Sequence, residues 1–425
     1  MQEAFLHFIW QYQYFDKSDL KTTRGIPVNI LKTGALNSNS GPDFSEAQVN
    51  LDYIDWRGSV EIHIKSSDWD FHGHQTDRAY DNVILHVVWQ HDKEIKRSDG
   101  TEIPTIELNR ITNKRLQTNY NQLINSPSSI PCKYYIDKVS DVVKLGMLDK
   151  VVSERLIEKA QKVLSLQKDN NNDWNETTYQ LLSSNFGFKV NQDPFSELSK
   201  SLPLKIILKH RNDLFQMEAL LFGQAGFLND DVDDKYFLLL KKEYSFLAHK
   251  YELEQNLNPF RWKFMRLRPA NFPTVRLAQL AALIYKIDRL FDQLISNGSV
   301  GKLSEILKIR QSEYWLKHYN FGKPASRKMT GLGKSSIYNI VINTIIPLLV
   351  AYSRQIDDQM FMDRALALLE QLPGEDNVIT REWEKLGVKT ESAFDTQGLI
   401  HLNNNYCQKR RCLSCNIGTT LISKT

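Results

Sequence analysis

The chain has 425 residues, enough for two or three domains that each bury a core. Its 41% hydrophobic and 24% charged residues are ordinary for a soluble globular protein. A formal net charge of +4 gives no global pull on a polyanion, so any argument for a nucleic-acid partner must rest on local patches.

The first twenty residues carry neither a basic n-region nor a small-residue cleavage site, so a cytoplasmic chain without a signal peptide is expected. Phe5, Phe8, Ile9, Tyr12 and Phe15 follow helical spacing instead. Short β-type runs come next, punctuated by Gly, Pro, Asn and Asp, and predict strands over 28–33, 47–53, 58–65, 82–90 and 104–108. The run over 82–90 is almost continuously apolar, as suits a strand buried on both faces. A short helix is expected around 77–80. The segment 126–131, SPSSIP, reads as a linker.

From about Val139 the pattern is helical, with helices expected over 141–167, 213–223, 233–253, 274–298, 304–318, 335–355, 357–372 and 377–386. Asn175 is placed as one helix cap, and Pro203 in the first turn of another helix. The longest apolar run, 340–351, contains Asn343 and Pro347 and falls short of a membrane span. The expected fold class is α+β. A mixed α/β sheet domain occupies 1–130, a large all-α domain 131–400 and a cysteine-containing tail 401–425.

The segment Gly58-Ser-Val-Glu-Ile-His-Ile-Lys65 is the most informative stretch. Strand alternation turns Val60, Ile62 and Ile64 to one face and Glu61, His63 and Lys65 to the other. Three ionisable groups on one strand face are costly unless solvated, paired or metal-bound. Asp43 lies just upstream in a Ser-Gly-Pro-Asp-Phe turn. Asp43 and Glu61 together are suited to ligate a hard cation such as Mg²⁺ or Mn²⁺. That cation would activate water and stabilise a phosphoryl transition state, with His63 or Lys65 orienting the water or neutralising charge.

This order of helix, strands, acid, and strand with an acid near a basic group resembles the PD-(D/E)XK nucleases. The matching residues are Pro42-Asp43 and either Glu61-Ile62-His63 or the wider Glu61…Lys65. The resemblance covers roughly 1–110. It implies a restriction-endonuclease-like sheet and phosphodiester hydrolysis, although His63 stands where that family has lysine.

Five of the ten histidines fall between residues 63 and 91. His72-Gly-His74, with His63 and Asp77, forms an alternative set for a transition metal, which points to a small-molecule hydrolase. In a plainer reading Asp68, His72, His74 and Asp77 cap turns and His86 is a satisfied core residue. A non-catalytic scaffold that binds nucleic acid or protein is a third reading.

Two stretches offer contacts for DNA or RNA. Residues 258–276 carry Arg261, Lys263, Arg266, Arg268 and Arg276 among four aromatics, without an acid. Cations bind phosphates and aromatics stack bases. The alternative is a buried amphipathic segment whose arginines pair with acids such as those at 230–234. Residues 317–354 contain no acid either. Within them Met329-Thr-Gly331-Leu-Gly333-Lys334 resembles the helix-hairpin-helix backbone-binding motif, whose glycines let amides approach a phosphate.

The C-terminus holds Cys407, Cys412 and Cys415 as Cys-x4-Cys-x2-Cys, and Cys132 is the only other cysteine. Together they supply four soft ligands for Zn²⁺ or an iron–sulfur cluster, or else four unligated thiols. The arrangement resembles the iron–sulfur staple of some PD-(D/E)XK nucleases, with a different spacing and with the lone cysteine following the strands. Taken whole, the chain resembles an uncharacterised bacterial family, a domain of unknown function. The residues that carry this are Gly41-Pro-Asp-Phe44, Trp56-x-Gly-x-Val-Glu-Ile-His63, Ser67-Asp-Trp69, His72-Gly-His74, the 82–87 run, Arg268-Pro-Ala-Asn-Phe-Pro273 and the cysteine tail.

Overall fold

Helix α1 (Glu3–Gln11) buries Phe5, Leu6, Phe8, Ile9 and Trp10, and its polar side carries Glu3 and His7. Strands β1 (Val28–Lys32), β2 (Ala35–Leu36), β3 (Phe44–Leu51) and β4 (Ile54–Lys65) follow. Next come a one-turn helix α2 (Asp68–Phe71), β5 (Val83–Gln90), β6 (Thr105–Glu107) and α3 (Lys114–Ile124). The computed structural model describes residues 2–255 and 257–424.

The six strands form one mixed sheet. The order is β1-β3-β4-β5-β6, with β2 also on β3. The β1–β3–β4 side is antiparallel, and β4–β5–β6 is parallel. The crossover from β4 to β5 therefore needs a connection over the sheet. Residues 66–82 supply it, and they also carry His72 and His74. β5 is buried at six successive positions, as its unbroken apolar run predicts.

Two compact units emerge, Met1–Met147 with Leu402–Thr425, and Leu148–His401. This moves the expected boundary at 130/131. Residues 126–131 do not act as a linker, because they are fastened within the first unit. The Arg410 guanidinium donates to the carbonyls of Ser126 and Ser128 at 2.7 and 2.9 Å. The tail does not stand alone either. Asn119 on α3 donates to the carbonyls of Leu421, Ile422 and Lys424 at the end of the helix Asn416–Ser423.

The second unit is mostly helical around a large apolar core. Its cap at the expected Asn175 is instead Asp173, whose carboxylate accepts from the backbone of Asn175 and Glu176. The expected helix over 274–298 breaks into Pro273–Lys286 and Leu290–Ile295. The chain turns at exposed Asp288 and Arg289, so that Leu290 and Phe291 reach the core. The expected helix over 304–318 becomes Val300–Leu307 and a small hairpin, His318–Asn320 with Lys323–Pro324.

One continuous helical stretch, Lys334–Ile356, is long and apolar enough to cross a membrane by length and composition. It includes a π-turn over Val341–Ile345, and most of it is buried in the core of this unit. Core burial accounts for its apolar character.

Candidate metal centre

The parallel pairing of β4 with β5 sets Glu61 beside His86 and His63 beside Val88. Partners in such a ladder share a face, so Glu61, His63 and His86 lie on one side of the sheet. Glu61 and His63 are buried and His86 is fully enclosed. The crossover then lays its own residues over this face. Trp69 is buried there, with its indole nitrogen donating to the Lys96 carbonyl at 3.1 Å. Gly73, at φ +79°, makes a left-handed turn between His72 and His74 that a side chain would resist. That turn brings both imidazoles to His63. One ring nitrogen from each of His63, His72 and His74 lies within 4.8 Å of the others.

Three of the separations are those of neighbouring metal ligands. His63 Nε2 is 3.1 Å from His72 Nδ1. Glu61 Oε1 lies 3.6 Å from His63 Nε2 and 3.3 Å from His74 Nε2. For metal–nitrogen bonds of about 2.0–2.1 Å, tetrahedral ligand atoms stand about 3.3 Å apart. His63 Nδ1 is turned on His86 Nε2 at 2.8 Å, which fixes the ring and leaves Nε2 toward the cluster. His74 is sandwiched by Tyr80, with ring centroids 3.8 Å apart. His72 is exposed and forms the open lip.

Asp43 completes the arrangement from the turn before β3. Its backbone N–H donates to Glu61 Oε2 at 2.9 Å. Its own Oδ2 accepts from the Ile62 N–H at 3.0 Å and lies 3.2 Å from His7 Nε2. Asp43 is therefore tied to the outer side of Glu61, while Glu61 Oε1 faces the histidines.

Burial sets the electrostatics of the cluster. Burial, then the nearby Asp43, pushes the Glu61 carboxyl up to about 8. Burial, then His74 and His72, holds His63 down at about 4. His74 is lowered by burial and His72, and His86 well below its usual value by burial and His63. Neutral imidazoles offer lone pairs, and a carboxyl that resists ionising alone becomes a good ligand beside a cation.

Of the residues expected at this site, Asp43, Glu61, His63, His72 and His74 come together. Lys65 sits at the exposed end of β4, where its N–H donates to Asp68 and its charge acts on Asp92. Asp77 does not join as the alternative ligand, because its carboxylate caps the turn Arg78–Tyr80 by accepting from Ala79 N–H. Two participants escaped the sequence reading. His7 touches Asp43, and Glu3 is raised by burial and by Asp43 and is within reach of His72. Their i, i+4 spacing on the polar side of an otherwise apolar α1 was the available signal.

In the helical unit, Lys263, Arg266 and Arg268 are exposed, and Phe260 stands in solvent. Arg261 pairs with Glu197, not with the 230–234 acids. Arg276 is buried over the Phe188 ring and donates to Gln279 and Asn271. Gly331 backs onto the Ile309 carbonyl, which a Cβ would meet at 2.2 Å, so close packing accounts for this glycine. Gly333 and Lys334 are exposed at the start of the helix from Lys334.

The chain belongs to the DUF2851 family, described as a protein of unknown function, with the match running over residues 3–378. That span includes the whole sheet site and Cys132. No curated protein and no solved structure matches the chain.

Proposed function

We propose that the chain is a metal-dependent hydrolase that cleaves phosphodiesters, with Glu61, His63, His72 and His74 as metal ligands. The observation that carries this reading is the convergence of three imidazole nitrogens within 4.8 Å of one another, with a Glu61 carboxylate oxygen 3.6 Å and 3.3 Å from two of them. An imidazole-rich donor set suits a transition metal such as Zn²⁺, with Mn²⁺ as a second choice, better than Mg²⁺. When bound, such a cation lowers the pKa of a water and polarises a phosphoryl oxygen.

The chain's own groups do the rest. His86 orients the His63 ring. Asp43, held by the Ile62 N–H and His7, is placed to take a proton from an attacking water or to orient it. The order of helix, strands and acid supports the phosphodiester assignment, because it is the order on which the nuclease resemblance rests. Exposed Phe260, Lys263, Arg266 and Arg268 are suited to nucleic acid, single-stranded or double. The buried, undisulfided cysteines fit a cytoplasmic setting. A small-molecule ester is the second reading, favoured by the aromatic wall of Trp69 and Tyr80 beside His74.

The test is a cleavage assay on single- and double-stranded DNA and RNA with Zn²⁺, Mn²⁺ or Mg²⁺. Wild type is compared with Glu61→Gln and His74→Ala, each checked for folding by thermal melting. Both variants are expected to lose at least about 100-fold in rate. Cleavage by folded variants at the wild-type rate would sink the assignment. Activity on nitrophenyl esters alone would favour the second reading.

A further inference from the structure

Every cysteine of this chain is buried, and no disulfide joins any of them. The fold fastens the segments that carry them although the sequence separates these widely. Cys132 lies within electrostatic reach of Cys412 and Cys415, and Cys407 within reach of all three. The backbone fastens the two segments on either side of this meeting point. Arg410, between Cys407 and Cys412, donates to the carbonyls of Ser126 and Ser128, just before Cys132. Cys132 itself starts a tight turn, its carbonyl accepting from Tyr135 N–H at 2.9 Å.

The tail is shaped around the same point. Cys412 and Cys415 flank a short 3-10 turn, and Cys415 caps the helix Asn416–Ser423. Burial pushes the Cys132, Cys407 and Cys412 thiols up, while the Arg410 guanidinium acts the other way on Cys407 and Cys412. Gly418 allows that helix to fold back, since a Cβ there would meet the Cys412 carbonyl at 2.2 Å. A buried cysteine by itself is an ordinary small hydrophobe. Burial of the whole complement, on two segments locked by one arginine, is the pattern of a thiolate metal site.

We propose that Cys132, Cys407, Cys412 and Cys415 form a tetrathiolate site for a thiophilic metal centre that pins the C-terminal tail to the first unit. Zn²⁺ and an iron–sulfur cluster share this ligand chemistry. Loading displaces the thiol protons to solvent as the metal–sulfur bonds form. The centre is structural, because it closes a loop between Cys132 and the tail, and it is independent of the histidine site on the sheet.

The experiment uses the full chain purified without oxygen, in a His63→Ala/His74→Ala background so that the sheet site contributes no metal. Zinc, iron and acid-labile sulfide are measured per chain, before and after an organomercurial titrates the thiols. About one zinc, or about two or four iron with matching sulfide, should be released in step with the thiols. The sulfide reading decides between the two sources. Cys132→Ser and Cys412→Ser should each lose most of that metal and lower the melting temperature. If the background chain carries no zinc or iron and its thiols react without releasing metal, the proposal is overturned. That outcome stands even if the serine variants fail to fold, and it leaves the hydrolase reading untouched.

Discussion

Glu218 is wholly enclosed in the helical unit, where it accepts hydrogen bonds from the Tyr236 and Ser312 hydroxyls. Burial pushes its carboxyl up to about 7, from 4.5. A carboxyl whose folded value is raised contributes stability that is fully present below its unfolded value. That contribution is lost as the pH rises through the folded one. Wild type should therefore lose up to about 3 kcal/mol between pH 4.5 and pH 8, from the shift at about 1.36 kcal/mol per unit. Glu218→Gln should flatten that part of the profile, as read by chemical denaturation at several pH values. An unchanged slope would show that Glu218 does not titrate there. At the candidate site the same kind of residue-level reading worked in part. Strand alternation put Glu61 and His63 on one face, as found. It could not tell that Lys65 would fall at the exposed strand end, because alternation sets the face and not the depth.

At the scale of elements, β4 and the crossover after it decide whether a site exists. Gly58 in β4 lies against the start of β5, where a Cβ would meet the Asn82 carbonyl at 2.4 Å and Ile84 at 2.5 Å. Backbone cannot yield as a flexible side chain can, so Gly58→Ala should cost about 2 kcal/mol or more through overpacking. The shift should appear as a lower denaturation midpoint. A neutral Gly58→Ala would mean that β4 and β5 pack less closely than described. The strands themselves were legible, because alternating and continuous apolar runs have a two-residue period. The one-turn helix α2 was not, because four residues carry no period to read. The break after Lys286 and the hairpin at 318–324 were missed for a different reason. There, core packing overrode local helical spacing.

For the whole molecule, the tail is the decisive piece. Residues 402–425 belong to the same compact unit as the sheet, held through Asn119 and Arg410. Truncation after residue 401 should therefore expose α3 and the 126–132 turn. Limited proteolysis should cut near 126–135 much faster than in the full chain, by at least about 10-fold if more than about 1.4 kcal/mol of docking is lost. Equal resistance would show that the tail contributes nothing to that unit. The sequence by itself determined the mixed sheet ahead of a helical region. It also determined the chemistry on offer, three histidines and two carboxylates near β4 and four thiols, because these follow from residue type and short-range periodicity. Only the tertiary structure decided which of them meet. The β4–β5 crossover chose Glu61 over Asp77 as partner to the histidines, and α1 added Glu3 and His7 from the start of the chain. The docked tail brought the segment with three cysteines against the segment that leads to the fourth. Those choices depend on contacts between segments far apart in sequence, which no local pattern encodes.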